Sequence, residues 1–165
     1  MESTHLKHKL IAFDQSTKAT GWCLMYQHNS EIIERGVILP EGTTNERIRK
    51  TVKQCMYLCD KHQVTFVFIE GIQLQGNKLN PVVYEVLAAL KGTLEICLEE
   101  KGFIVNVIKS SEWRKRVGIK SRKRADLKAE AIQMVADLYG IHPTEDECEA
   151  ILFARAFSEQ TQPIA

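Results

Sequence analysis

Leu10-Ile11-Ala12-Phe13-Asp14-Gln15-Ser16-Thr17-Lys18-Ala19-Thr20-Gly21-Trp22 is the stretch on which the fold turns. Its first part is apolar without alternation, the pattern of a strand covered on both faces, and it ends on a carboxylate. A small polar turn leads into a second strand, Trp22 to Tyr26. A third from Glu31 to Leu39, closed by Pro40-Glu41-Gly42, completes an antiparallel meander. Val64-Thr65-Phe66-Val67-Phe68-Ile69-Glu70 is another apolar run ending on an acid. A carboxylate at the end of a buried strand is costly unless a positive charge meets it. With Asp146 and Glu149, three residues apart on an expected helix, the chain offers four such carboxylates. Four negative charges match two divalent ions, and Mg²⁺ takes hard oxygen ligands while keeping positions open for phosphate.

Outward from these strands, Thr43 and Glu46 form a capping-box pattern that opens a helix to about His62. Its apolar stripe is Ile48, Val52, Cys55 and Cys59. Gly71 to Asn80 reads as a polar loop. Pro81 suits the first turn of a helix to about Lys101, with Val83, Val86, Leu87, Leu90, Leu94 and Cys97 facing inward. Phe103 to Ile108 is a fifth strand. A basic segment follows, then a helix from about Ala125 to Tyr139. Thr144 and Glu147 make a second capping box, starting a last helix to about Ser158. The order βββαβαβαα predicts a mixed α/β layer fold. No linker, repeat or low-complexity block divides the 165 residues, so one domain is expected, with its core at about 9–158 and short tails.

Composition narrows the function class. Hydrophobic content of 44% with 26% charged residues describes a globular chain rather than a disordered one. No apolar stretch reaches the length of a membrane span and no secretion signal opens the sequence. Five cysteines, an odd number, suit free thiols in a reducing compartment, so the expectation is cytoplasmic, in a bacterium or a phage-infected host cell. The net charge of +1 hides an asymmetry. Nine basic residues (Lys109, Arg114, Lys115, Arg116, Lys120, Arg122, Lys123, Arg124, Lys128) face only Glu112 and Asp126, so this segment carries +7 and the rest −6. Solvated helix faces mix both signs, so a one-sign run points to nucleic-acid phosphates.

Several single residues carry two readings. Cys55, Cys59 and His62 could hint at zinc, but a fourth ligand is missing and both cysteines lie on the apolar stripe, which favours core packing. His142 could polarise water or simply occupy the turn before Pro143. Trp113 could stack on a base or anchor a short helix to the core. Ala88, Ala89 and Gly92 permit close backbone approach, either to the sheet or to a second copy.

Taken together, Ile11 to Trp22, Phe68-Ile69-Glu70 and Asp146-Glu147-Cys148-Glu149-Ala150 resemble, in order and spacing, the three acidic motifs of the RuvC-type Holliday-junction resolvases, phage-type members among them. That family lies within the RNase H-like nucleases, and the resemblance runs from about residue 9 to 158. It implies an RNase H-like mixed five-stranded sheet with helices on both faces, working as a homodimer on branched DNA. It further implies in-line hydrolysis of a phosphodiester, one ion activating water and the other stabilising the leaving oxygen. Asp14 would bridge two Mg²⁺ ions (Mn²⁺ being a substitute), with Glu70 on one and Asp146 and Glu149 on the other. Lys123 or Arg124 would stabilise the developing charge, with Lys115 or Arg114 as a second contact. DNA contacts are expected from Gln73, Lys109, Arg114, Lys115, Arg116, Lys120, Arg122, Lys123 and Arg124.

Two departures stand out. Glu149 occupies a place where the family commonly has Asp, which lengthens the ligand arm. Gln73 stands where cellular members often have an aromatic, so three-way as well as four-way junctions are expected substrates. Two alternatives remain: an RNase H-like nuclease on RNA or RNA/DNA hybrids, and a catalytically idle DNA-binding module whose acids only cap and solvate. An actin-like ATPase would need a second large domain that 165 residues cannot hold.

Overall fold

Residues 7–16, 18–72 and 80–159 are described by a computed structural model. Gln73, most of the polar loop that contains it, Thr17 and both chain tails lie outside the described residues. Five strands form one sheet: β1 (Lys9–Gln15), β2 (Thr20–Tyr26), β3 (Ile32–Ile38), β4 (Phe66–Gly71) and β5 (Ile104–Lys109), in the order β3-β2-β1-β4-β5. β1, β2 and β3 are antiparallel neighbours, as the short turns between them dictate. β4 runs parallel to β1, and β5 parallel to β4. The helices α1 (Thr44–His62) and α2 (Pro81–Glu100) are the crossovers that parallel pairing requires.

Alternation along β1 sorts the sheet's two faces. Ile11 and Phe13 point to the side covered by α1 and α2, where they meet Leu24, Val67, Ile69, Val52, Leu90 and Leu94. Leu10 and Ala12 point to the other side, which is covered by α3 (Ser110–Val117), α4 (Arg124–Tyr139) and α5 (Glu145–Ala156). Asp14, two residues beyond Ala12, shares that second face by the period of two. α5 is the most enclosed helix: Cys148 and every residue from Ala150 to Ala154 are buried.

Both predicted capping boxes form, with Thr43 accepting from the Glu46 amide and Thr144 from that of Glu147. Two expectations need correction. The basic segment after β5, left out of the predicted element order, is headed by α3, making the order βββαβαβααα. α3 was hidden because its buried positions, Ser110, Trp113 and Val117, form too short a stripe among charged residues. On α2, burial starts only at Leu90 and continues through Leu94 and Leu98, while Val83 is exposed together with Val82 and Tyr84. The inward stripe has core beneath it only in the second half of the helix. Ala89 is exposed and a Cβ at Gly92 would meet nothing within 4 Å, so these two small residues do not serve packing on the sheet.

Candidate active site

The parallel register of β1 and β4 pairs Phe13 with Ile69, which brings the next residues, Asp14 and Glu70, side by side at the carboxyl ends of the two strands. Adjacent strands lie about 4.8 Å apart, so two acids here repel unless something offsets them. Carboxyl ends of parallel strands are also where open α/β sheets place their ligand crevices. On the other side of β1, Asp14 pairs with Gly21. The first turn of α5 rests on that glycine: a Cβ at Gly21 would lie 2.2 Å from the Asp146 carbonyl oxygen. Only a residue without a side chain lets the helix come this low, and the low seat carries Glu149 to Asp14.

Glu70 and Glu149 both lie near enough to the Asp14 carboxyl to act on it electrostatically. Burial first, then the charges of Glu70 and Glu149, hold Asp14 well above the usual carboxylate range. Glu70 is also raised by burial, against the Trp113 hydrogen bond and the Arg114 charge, which pull it down. Asp146 is more exposed. Burial raises its carboxyl first, with Glu149 and Glu145 adding to the effect and Lys128 opposing it. Asp14, Glu70 and Glu149 thus form one cluster of mutually repelling carboxyls, and Asp146 stands at its margin beside Glu149.

α3 braces this cluster. The Trp113 side chain is fully buried, stacked on Phe153 with ring centroids 5.7 Å apart, and its Nε1–H donates to Glu70 Oε2 at 3.0 Å. Of the two readings of Trp113, the anchor is the correct one. Arg114 lies 5.2 Å from the Trp113 ring and sets its guanidinium 3.5 Å from Glu149 Oε1. Gln15 Nε2 donates to the Glu70 carbonyl at 3.2 Å, tying the ends of β1 and β4 together. None of these supports was singled out in the sequence as a partner of the acids. The single Trp within a basic run was the one signal that could have found the brace.

Other sequence candidates fall away from the cluster. Glu147 caps α5 and meets Arg35 at 2.9 Å, the structural role its spacing predicted. Cys55 and Cys59 are buried in the α1 side of the core, where desolvation pushes the Cys59 thiol up to about 12. His62 pairs with Glu34 at 2.9 Å, so the zinc reading is set aside. His142 is exposed in the turn before α5.

Lys109, Lys115, Lys120, Arg122, Lys123 and Arg124 are all exposed. Arg116 pairs with Glu112 at 3.5 Å and covers the Phe157 ring, and Lys128 pairs with Glu145. A cleft of about 470 Å³ opens between α3 and the start of α4, with Arg114, Lys115, Lys120 and Arg122 among its lining residues.

Among the described residues no group of three or more His, Cys, Asp or Glu side chains stands arranged as a ready-made metal site. The donor chemistry nevertheless fits hard divalent cations. The cluster offers oxygen ligands only, burial and mutual charge raise the Asp14 and Glu70 carboxyls, and Arg114 offsets part of the negative charge beside Glu149.

No sequence-family model and no curated protein matches the chain. Its structure, however, is similar to solved ones. RuvC of T. thermophilus, in complex with a Holliday junction substrate, superposes with a TM-score of 0.73 at 12% identity, over 90% of this chain and 91% of that one. The yeast mitochondrial Holliday junction resolvase Ydc2 gives 0.60 at 14% identity, over 94% and 80%. The fowlpox virus resolvase with its junction DNA gives 0.52 at 12% identity, over 91% and 93%. The chain has the fold of the RuvC-type resolvases, the mixed five-stranded sheet that the resemblance implied.

Proposed function

We propose that this chain is a metal-dependent, structure-selective endonuclease that nicks branched DNA and resolves four-way junctions by paired symmetric incisions. The observation that carries the reading is the meeting of Asp14, Glu70 and Glu149 at the ends of β1 and β4, beside a stretch of exposed cations. The resolvase fold supports it.

Asp14, Glu70, Asp146 and Glu149 would hold two Mg²⁺ ions, or Mn²⁺ in their place. Bound there, the metals would polarise the attacking water and the scissile phosphate. Asp14, between Glu70 and Glu149, would be the central ligand of the set. Trp113 fixes one oxygen of Glu70, so that carboxylate presents its other oxygen in a set direction. Lys109, Lys115, Lys120, Arg122, Lys123 and Arg124 take backbone phosphates, and Lys123 is the candidate for offsetting charge that develops at the scissile one. Gln73 contacts the junction with hydrogen bonds but little stacking area, so discrimination between three-way and four-way junctions is weak.

One site cuts one strand, and resolution of a four-way junction needs two sites related by symmetry. A homodimer supplies them through an isologous patch. The exposed Val82, Val83 and Tyr84, together with the open side of Gly92, make α2 the candidate patch. No helix of the described residues is long and apolar enough to cross a membrane, and the proposed place of work is the cytoplasm.

The test is a gel assay of four-way, three-way and linear duplex DNA, with an RNA/DNA hybrid alongside, with and without Mg²⁺. Paired nicks in branched DNA that need the metal are expected. Binding without cleavage at any metal concentration would mark an idle module, and preferential cutting of the hybrid would move the substrate class. Light scattering at micromolar concentration is expected to report a dimer, and a monomer would reject the α2 patch.

A further inference from the structure

We propose that Glu130 is a positioning residue for the bound DNA strand: its carboxylate holds the loop of residues 118–123 in the shape that forms one wall of the basic cleft. The inference rests on the branched-DNA reading above and adds to it the residue that shapes the phosphate seat.

The loop joins α3 to α4 and has no regular secondary structure. It leaves α3 through Gly118, whose φ of +85° lies in the left-handed region, and the Ile119 amide folds back onto the Arg114 carbonyl at 2.9 Å. Beyond that point Glu130, reaching across from α4, takes over. Its Oε1 accepts from the Lys120 amide and its Oε2 from the Ser121 amide, each at 3.0 Å. Two successive backbone N–H groups donating to one carboxylate pin the path of the loop at Lys120 and Ser121. The Ser121 side chain and the Lys120 amide hold the Glu130 carboxyl below its ordinary range, so it sits there ionised.

The consequence is a cleft wall of fixed shape. Ser111, Arg114 and Lys115 of α3 face Lys120, Ser121 and Arg122 of the loop across about 470 Å³. Arg114 belongs to this wall and also meets Glu149 at 3.5 Å, so the cleft adjoins the acid cluster. A strand with one phosphate at the acids would run its neighbouring phosphates past these cations.

An acid at this place opposes phosphate binding on charge alone, and its removal would then strengthen affinity. If Glu130 instead builds the seat, removal loosens Lys120 and Arg122 and weakens affinity. The two roles differ in sign, and this makes the test decisive.

The experiment uses the full chain with Asp14→Asn, to bind without cutting, and compares Glu130, Glu130→Ala and Glu130→Gln. Kd for a four-way DNA junction is expected to rise by about 10-fold in the Ala variant, of the order of losing one charge-assisted hydrogen bond, and by less in Gln, which keeps one acceptor oxygen. Hydrogen exchange at the Lys120 and Ser121 amides is expected to speed up by about 10-fold in Ala while the β1 and β4 amides stay protected. Equal or tighter binding by the Ala variant would overturn the proposal, as would unchanged exchange at those two amides. Should the Ala variant fail to fold, unchanged affinity in the Gln variant overturns it equally. If the Asp14→Asn parent binds no branched DNA at all, the functional reading falls and takes this inference with it, an outcome distinct from the others.

Discussion

The two faces of the sheet are built on opposite rules. Under α1 and α2 the strands present large apolar side chains to their ends, with Ile11 and Phe13 on β1, Val67 and Ile69 on β4, and Trp22 and Leu24 on β2. Under α3 to α5 the same strands present Leu10 then Ala12 on β1, and Phe68 on β4, before giving way to Asp14 and Glu70. Small residues recur on the helix as well, at Ala150 and Ala154. A face packed with large side chains holds its helices away from the sheet. A face thinned by Ala12, Gly21 and Ala150 lets α5 settle low enough to deliver its acids to the strand ends. Both faces carry a large buried core, and the second carries the charged site as well.

The sharpest way to break that contrast is Asp14→Asn. Cleavage of a four-way junction should fall by at least about 10³-fold, the scale of losing a key electrostatic group, while junction binding holds or tightens because a negative charge has gone. A variant that still cuts near the parent rate would remove Asp14 from the site.

Paired core truncations come next. Leu94→Ala on the first face and Phe153→Ala on the second should each cost about 3–5 kcal/mol in denaturant unfolding. Below their melting temperatures they should differ, with Leu94→Ala cutting DNA normally and Phe153→Ala impaired, because Phe153 supports the Trp113 ring that holds Glu70. Equal activity in the two would mean that the faces are not functionally distinct.

A smaller loss is expected of Trp113→Phe, which keeps an aromatic ring against Phe153 and deletes the N–H donor to Glu70. Cleavage should drop by roughly 10–100-fold, as for other groups that orient a metal ligand, with a higher Mg²⁺ requirement and unchanged junction affinity. A rate loss without a shifted metal requirement would make the brace merely structural.

The mildest effect is on stability against pH. The folded Asp14 carboxyl lies above its unfolded value, so in the metal-free protein the folded state holds a proton that the unfolded state has lost. Stability should therefore fall as pH rises from the ordinary carboxylate range through the raised folded value. Asp14→Asn should flatten part of that decline and melt higher than the parent at neutral pH without metal. Parallel melting-temperature profiles for the two proteins would contradict the raised carboxyl.

Much of this architecture was legible before any coordinates. The unbroken apolar runs into Asp14 and Glu70, the two capping boxes and the order of strands and helices are local or periodic signals, and physics acts on them locally: a run without alternation needs cover on both faces, and Thr-x-x-Glu satisfies the free amides of a helix start. The acids themselves were legible for the same reason, since a carboxylate at a buried strand end demands an explanation wherever it lies.

What tertiary structure alone decided is which groups meet. α3 was foreseen only as one reading of Trp113, because three buried residues in eight leave little periodicity to read. Arg114 looked like one more phosphate contact, and only the packing of α3 against α5 turned it toward Glu149. Gly21 looked like a turn residue, and only the descent of α5 made its missing side chain a requirement. The sequence determined the elements and the charges they carry, because those follow from neighbours along the chain. The partners of Glu70, Glu149 and Glu130 depend on contacts between residues far apart in sequence, whose distances no local pattern records.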